Sequence, residues 1–236
     1  MGLLSWMVLS LTVLLPAANS LPPVNEAQLQ DIVSDILKRY ADSQDQRKWP
    51  MFSLVVSIPF NSKTKTYDIN QVPDDANNVK NTILNLNSEV YTGTKVVAAT
   101  VLRYNDGTAD HAEYRTLQNL KTIKKHIDVN DLLLIYVYAS PCSARCTNSK
   151  KQSNILRFLQ NYKNDKVVFV FSKVFKPSNT NLSAKALQEA LQNLGGTIGL
   201  GRIFRCDIVN GRMKCVSCNR NGKVAEWCYD DNKPPA

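Results

Sequence analysis

The sequence has little histidine, few aromatic side chains and no long apolar run beyond its first residues. Only two histidines occur in the 236-residue chain, and aromatic residues make up 8% of it. No segment repeats, and after residue 20 no apolar window approaches the length of a membrane-spanning helix. Because 44% of the residues are nonetheless hydrophobic, the composition indicates one ordinary core and argues against disorder, a collagen-like repeat or a membrane-bound mature chain.

Acidic residues are scarce in the second half of the chain. Residues 1–132 carry 13 Lys and Arg against 14 Asp and Glu, whereas residues 133–236 carry 16 against 6. The formal net charge of +9 therefore arises entirely in the second half. Such asymmetry favours a polyanionic partner, and a basic surface that only aids solubility is the alternative.

The first 20 residues contain no charged side chain, are largely apolar and end in small residues. This pattern predicts a secretory signal peptide over residues 1–20, cleaved after about Ser20. A secreted, extracellular protein folds in an oxidising compartment, where cysteines tend to pair. The Asn-Leu-Ser sequon at Asn181 is a glycosylation candidate on that route.

Helical and strand-like patterns alternate along the mature chain. Apolar residues at helical spacing predict a first helix over about 25–43, and β-branched runs predict strands at 52–58 and 96–102. The polar segment 60–94 predicts a long connection or an irregular extra strand. Further helices are predicted to begin at Asp110, Ser140 and Ser183, and further buried strands at 132–138, 167–171 and from Ile203. The order favours an α/β fold, with a mixed sheet of about five strands flanked by helices.

Two short motifs carry the candidate chemistry. The segment His-Ala-Glu at 111–113 opens one predicted helix, and after 27 residues Pro-Cys-Ser-Ala-Arg-Cys at 141–146 opens the next. One histidine and two cysteines bind zinc in nucleobase deaminases, and the Glu of the first motif moves protons without being a ligand. Because positions i and i+4 share a helix face, both sulfurs would reach one metal ion.

The predicted helix starts suit these roles. Ser140 as N-cap and Pro141 as first helical residue would put Cys142 in the first turn, where the helix dipole favours a thiolate. By the same argument His111 is disfavoured as a cation and suited to be a neutral ligand. Three protein ligands, His111, Cys142 and Cys146, leave a fourth position for water, as in catalytic zinc sites.

Each motif has a simpler interpretation when taken alone. Asp110 and Glu113 would form an acidic variant of a capping box, with His111 on the surface. Cys142 and Cys146 would each be half of a disulfide in a secreted chain. The two motifs together, each in the expected strand and helix context, favour the zinc site.

With these motifs and this order of elements, the chain resembles the AID/APOBEC polynucleotide cytidine deaminases, and most of all their secreted branch. The similarity covers about residues 25–206. It implies a cytidine-deaminase-like fold in which His111, Cys142 and Cys146 bind Zn²⁺ and Glu113 is the catalytic proton shuttle. It also implies a set of substrate-binding residues: Asn105, Ala112, Ser140, Lys173 and Phe175.

The chain departs from the family pattern beside the expected substrate. Ala139 stands where the family has a Trp next to the target base, and Phe175 lacks the hydroxyl of the family's Tyr. These departures leave the target base open. Phe175 is also interpretable as an ordinary hydrophobic anchor of its loop.

We therefore expect a secreted zinc-dependent deaminase that converts cytosine to uracil in single-stranded nucleic acid. The basic second half offers candidate contacts to the strand, although each is also interpretable as a solvated charge: Arg145, Lys150, Lys151, Lys173 and Lys176. The alternatives are a deaminase of free nucleosides and a catalytically inactive module that binds polyanions. The sequence leaves protein partners open.

Four cysteines remain near the C-terminus: Cys206, Cys215, Cys218 and Cys228. An Asn-Gly hairpin at 210–211 would set Cys206 opposite Cys215, whereas a second at 221–222 would set Cys215 opposite Cys228. Two disulfides of open connectivity are favoured over a four-cysteine zinc site. We divide the chain into the signal peptide, a deaminase domain over 21–205 and a disulfide-rich β extension over 206–236.

Overall fold

The fold is built around one mixed sheet that is covered on both faces. A computed structural model describes residues 24–41, 49–84, 89–162, 166–176 and 182–233 of the chain. The predicted signal peptide and the sequon at Asn181 lie outside these residues. None of the described helices combines the length and apolarity that crossing a membrane needs.

The sheet has seven strands in the order β7-β6-β5-β4-β1-β3-β2. They are β1 Phe52–Ile58, β2 Val90–Thr92, β3 Val96–Thr100, β4 Leu132–Ala139, β5 Val167–Lys173, β6 Ile203–Val209 and β7 Arg212–Ser217. Strands β4, β5 and β6 run parallel, and the other neighbouring pairs are antiparallel. Three short antiparallel strand pairs among the described residues lie outside the seven-stranded sheet: Phe60–Asn61 with Thr66–Tyr67, Leu102–Arg103 with Ala109–Asp110, and Asn219–Arg220 with Lys223–Val224.

Five α-helices are found in the described residues: α1 Glu26–Tyr40, α2 Ala76–Leu84, α3 Ala112–Gln118, α4 Leu156–Leu159 and α5 Ala184–Ile198. Side chains of β1 alternate between two cores, because Leu54 and Val56 pack with α1 and α2 while Val55 packs with α3, α4 and α5. A strand buried on both faces reads as a continuous apolar run, which is why β1 was predictable.

The sheet is larger than the five strands predicted. The short β2 adds one edge and the cysteine-containing β7 adds the other, so the predicted extension continues the main sheet and β6 runs across the predicted boundary at residue 205. Segment 60–94, predicted as a connection or a strand, also contains α2. This helix was missed because only Val79 and Ile83 of its nine residues are buried.

The prediction that a helix begins at Ser140 is wrong. Residues 143–147 form turns, and the next helical residue is Leu156. Instead of capping a helix, Ser140 donates its backbone N–H to Lys173 O at 2.8 Å, and its Oγ accepts the Phe175 N–H at 3.0 Å. These bonds hold the end of β4 to the end of β5 and override the local helix signal.

The four tail cysteines form two disulfides, as predicted. Cys206 bonds to Cys215, its direct neighbour across the β6–β7 ladder, and Cys218 bonds to Cys228. The first Asn-Gly hairpin therefore aligned its cysteines correctly and the second did not. Because all four sulfurs are paired, no cysteine of this group remains to hold zinc.

Gly93 supplies a test of how tightly the β2–β3 turn is packed. A Cβ atom there would overlap with the carboxylate of Asp74, which accepts the Tyr91 hydroxyl and the Thr94 and Lys95 N–H groups. We expect Gly93→Ala to lower the free energy of unfolding by about 2–3 kcal/mol through this clash.

The control is Gly196→Ala in α5, where a Cβ meets nothing within 4 Å. Removing a helical glycine should raise stability by about 0.5–1 kcal/mol. Urea unfolding of both variants measures the difference, and equal stability of Gly93→Ala and wild type would contradict the packing argument.

Candidate metal centre and substrate cleft

The side chains of both motifs meet where the start of α3 faces the turn after β4. His111 Nδ1 lies 3.0 Å from Cys146 Sγ and 3.9 Å from Cys142 Sγ. The two sulfurs are 3.3 Å apart, and both cysteines are free and buried. The structure thus brings the predicted ligands together, and it does not pair these cysteines in disulfides.

These three groups fit a metal ion. Their ligand atoms all lie within 4.8 Å of one another. A single ion at about 2.0–2.3 Å from one imidazole nitrogen and two sulfurs requires a triangle of about this size. The cluster can therefore hold a metal ion with three protein ligands.

Local structure explains how the ligands are held. His111 is the extended residue that precedes α3 and makes no capping hydrogen bond, while Asp110 accepts the Tyr104 hydroxyl at 2.8 Å. The capping-box alternative is therefore not what the structure shows. On the other side, Thr147 donates to Cys142 O at 3.1 Å and Ile155 donates to Cys146 O at 2.8 Å, which fixes the turn carrying both sulfurs.

The sequence predicted that the dipole of a helix beginning at Ser140 stabilises a Cys142 thiolate, but no helix begins there. The pKa of Cys142 is nevertheless lowered, first by its hydrogen bond with the Cys146 thiol and then by His111, against the opposing effect of burial. The pKa of Cys146 is raised, since it shares its proton with Cys142 and is buried.

The neighbours of His111 also affect its pKa. Hydrogen bonding with Cys142 and with Glu113 raises the pKa of His111 to about 10, although burial opposes this. A metal ion bound to this imidazole would take the place of a proton.

Glu113 lies against the cluster without being one of its three donors. Glu113 is only 8% exposed. Its Oε1 accepts a hydrogen bond from the Cys146 thiol at 2.9 Å and lies 3.6 Å from His111 Nδ1. Burial alone would raise the pKa of Glu113, but hydrogen bonding and the charge of His111 outweigh it and lower the pKa. An ionised carboxylate therefore sits beside the candidate metal position.

A cleft of about 480 Å³ opens over this carboxylate. Four of the five predicted substrate-binding residues line it: Ala112, Ser140, Lys173 and Phe175. Asn105 does not, because it lies exposed in the turn of the hairpin over residues 102–110. Arg103 of the same hairpin lines the cleft instead. Sequence analysis missed it, although the Asn-Asp-Gly turn signal would have paired Arg103 with Ala109, two residues before His111.

Phe175 is both anchored and part of the cleft wall. Its N–H is held by Ser140 Oγ, and its ring centroid lies 6.1 Å from that of His111. Tyr138 and Ala139, at the end of β4, also line the cleft. The centroid of the Tyr138 ring lies 6.4 Å from that of Phe52, on which it stacks. The apolar part of the wall therefore stands directly beside the metal ligands.

The predicted basic residues are not gathered into one free cationic groove. Lys173 Nζ contacts both oxygens of Asp207 at 2.7 and 2.8 Å, and Lys176 Nζ lies 2.7 Å from Asp231. Arg145 donates to Ala109 O at 2.9 Å. Lys150 and Lys151 are exposed in the turns before α4 and do not line the cleft. The two lysines at the cleft thus have their charges compensated.

Replacing one donor should release the metal. We expect wild-type protein to carry about one metal ion per chain and Cys142→Ser to lose most of it, because two remaining ligands bind far more weakly. Glu113→Ala is the matched control, since it changes a neighbouring side chain that is not a donor. Elemental analysis of the folded proteins measures the content, and an active native protein with Cys142 and Cys146 joined in a disulfide would refute the site.

Comparison with known proteins agrees with this arrangement. Residues 26–232 match the family described as Secreted Novel AID/APOBEC-like Deaminase 1, which spans every element of the sheet and the whole cluster. A search of the curated proteins gave no match. The match covers far more than half of the chain and confirms the resemblance that the motifs indicated. The protein belongs to this family of secreted AID/APOBEC-like deaminases.

Proposed function

We propose that this protein is a secreted zinc-dependent hydrolase that converts cytosine to uracil in single-stranded nucleic acid. The observation that carries the proposal is the buried Glu113 carboxylate beside the His–Cys–Cys cluster, in the lining of an open cleft. A purely structural metal site has no need of a carboxylate in that position. Secretion is supported by the family description and by the uncharged apolar segment at 1–20.

The donor set supports zinc. One imidazole and two thiolates suit this ion, and three protein ligands are typical of its catalytic sites. When bound, zinc supplies a Lewis acid that lowers the pKa of water to about 7. His111, Cys142 and Cys146 would hold it.

Glu113 would move the protons of the reaction. Its carboxylate accepts a proton from the attacking water and delivers it to ring N3, while the water oxygen forms a bond to C4. The second proton of the water then passes by way of Glu113 to the exocyclic nitrogen, the bond from C4 to that nitrogen breaks, and ammonia leaves. A carboxylate held by burial and by its neighbours keeps one position through both transfers.

The cleft walls would orient the base. Phe175 and Tyr138 offer apolar and aromatic surface beside the ligands, and Ala139 leaves room where the family has a Trp. Arg103 offers a cation at the rim for a phosphate. A base stacked in a duplex cannot enter such a pocket, which favours a single strand.

A deaminase of free nucleosides is the second candidate. The pairing of Lys173 with Asp207 and of Lys176 with Asp231 favours it, because the cleft then offers less net positive charge to a polyanion. Comparing the turnover of free cytidine with that of single-stranded oligonucleotides separates the two.

Glu113→Ala tests the chemistry itself. Deamination should fall by about 10²–10⁴-fold, the loss typical of removing a general acid–base group, while metal content and fold persist. Glu189→Ala, which removes an exposed carboxylate on α5, is the control and should leave the rate unchanged. Equal rates for Glu113→Ala and wild type would refute the mechanism. A metal-loaded wild type that binds strands but deaminates no cytosine substrate would favour an inactive polyanion-binding module.

A further inference from the structure

Two segments on the α3–α4 face contain no acidic residue. They are 114–127 and 149–162, and the second belongs to the basic half of the chain. Six of their basic residues are exposed: Lys121, Lys124, Lys125, Lys150, Lys151 and Arg157. A surface of one charge sign on this scale attracts polyanions.

The two segments pack side by side at both ends. At the α3 end, the rings of Tyr114 and Phe158 are 6.0 Å apart, and the Arg157 guanidinium lies 4.7 Å from the Phe158 ring centroid. At the other end, the Lys124 ammonium lies 6.0 Å from the ring of Tyr162. Aromatic and cation–aromatic contacts therefore join the two segments at both ends, where Tyr114 and Phe158 are partly exposed and Tyr162 is buried. We call this surface the basic ridge, made of Tyr114, Lys121, Lys124, Lys125, Arg157, Phe158 and Tyr162.

The cations of the basic ridge are not neutralised. Among the described residues, no ion pair involves Lys121, Lys124, Lys125 or Arg157. The next acidic residue along the chain, Asp128, pairs with Lys95 at 3.2 Å. This is the opposite of the cleft, where Lys173 and Lys176 are both held by carboxylates.

We propose that the basic ridge binds single-stranded nucleic acid outside the cleft. Phosphates would meet the lysines, and unpaired bases would stack on the half-exposed Tyr114 and Phe158 and on the Arg157 plane. A sulfated glycan matches the charge but presents no planar base to these rings, so nucleic acid is the partner that uses both features. The inference rests on the proposed function, since it assigns the surface that holds the strand.

The ridge is close enough to the cleft to serve one strand. Glu113 at the cleft floor and Tyr114 on the ridge are consecutive residues of α3, and the helix is seven residues long. Its length of about 10 Å corresponds to a few nucleotides of an extended strand. A target base in the cleft therefore leaves its neighbours within reach of the ridge.

The test reverses the charge of the ridge. Lys121, Lys124 and Lys125 are replaced together by Glu, and binding of a thymidine strand of about 20 nucleotides is measured by fluorescence anisotropy from about 0.05 to 0.2 M salt. Affinity at the lowest salt should fall at least about tenfold, and the salt slope should flatten by about 2, because each single-strand phosphate contact contributes about 0.7.

The matched control makes the same change of charge elsewhere, with Glu at Lys63, Lys65 and Lys223, which are exposed and distant in sequence from the ridge. It should keep most of the affinity and the slope. An equal loss in both triple variants would mean that net charge alone drives binding, and unchanged binding by the ridge variant would exclude the ridge. Both results overturn the inference.

Two further measurements separate the partner and the proposed function. An abasic strand of the same length should bind wild type clearly more weakly than the thymidine strand, whereas equal binding of the abasic strand or of heparin would refute recognition of bases. Free cytidine should be deaminated equally by wild type and the ridge variant. If the wild type has no deaminase activity but still binds strands through the basic ridge, the proposed function is refuted and the inference about the ridge is supported.

Discussion

The contact between the buried Glu113 carboxylate and the Cys146 thiol sets the geometry of the whole site. A buried carboxylate is costly unless it is paired, so α3 and the turn after β4 must be fixed relative to each other. The sheet supplies that rigidity. Arg115 donates to Thr100 O at 2.6 Å, which ties α3 to β3, and Leu117 of α3 belongs to the same buried cluster as Val55 of β1. The candidate site therefore combines a helix start with a turn after β4, and hydrogen bonds to the sheet hold both in place.

The C-terminal segment takes part in shaping the cleft. Arg205 on β6 donates to Ser172 O, to Trp227 O and to Asp231, at 3.1, 2.7 and 2.6 Å. Asp231 is thereby held where it also meets Lys176 at the cleft. The Cys218–Cys228 disulfide fixes the same turn. The segment predicted as a separate disulfide-rich extension therefore supplies Asp231, the carboxylate that compensates Lys176 at the cleft wall.

The sequence was most informative where function requires particular residue types. The His, Glu and two Cys side chains were identified from two motifs, because few other arrangements use them at this spacing. The turn after Ser140 was not predictable, since a local helix signal competes there with the bond from Phe175, 35 residues away. The Lys173–Asp207 pair likewise joins residues 34 apart, so no local pattern reveals that this lysine is neutralised.

Exposed cations of the described residues lie on the α3–α4 face as well as at the cleft rim, where Arg103 stands. In the cleft, carboxylates compensate Lys173 and Lys176, and under the proposed function a base would be selected by shape, by the aromatic wall and by Glu113. On the α3–α4 face, Lys121, Lys124, Lys125 and Arg157 form no ion pair with another described residue, and such charges act over about 8 Å at physiological ionic strength, the screening length of salt. Salt should then weaken capture of a strand without weakening the proton transfers, because Glu113 is buried and its partners lie within 4 Å. If the cleft itself carried the charge that binds the strand, salt would weaken strand capture and the reaction together.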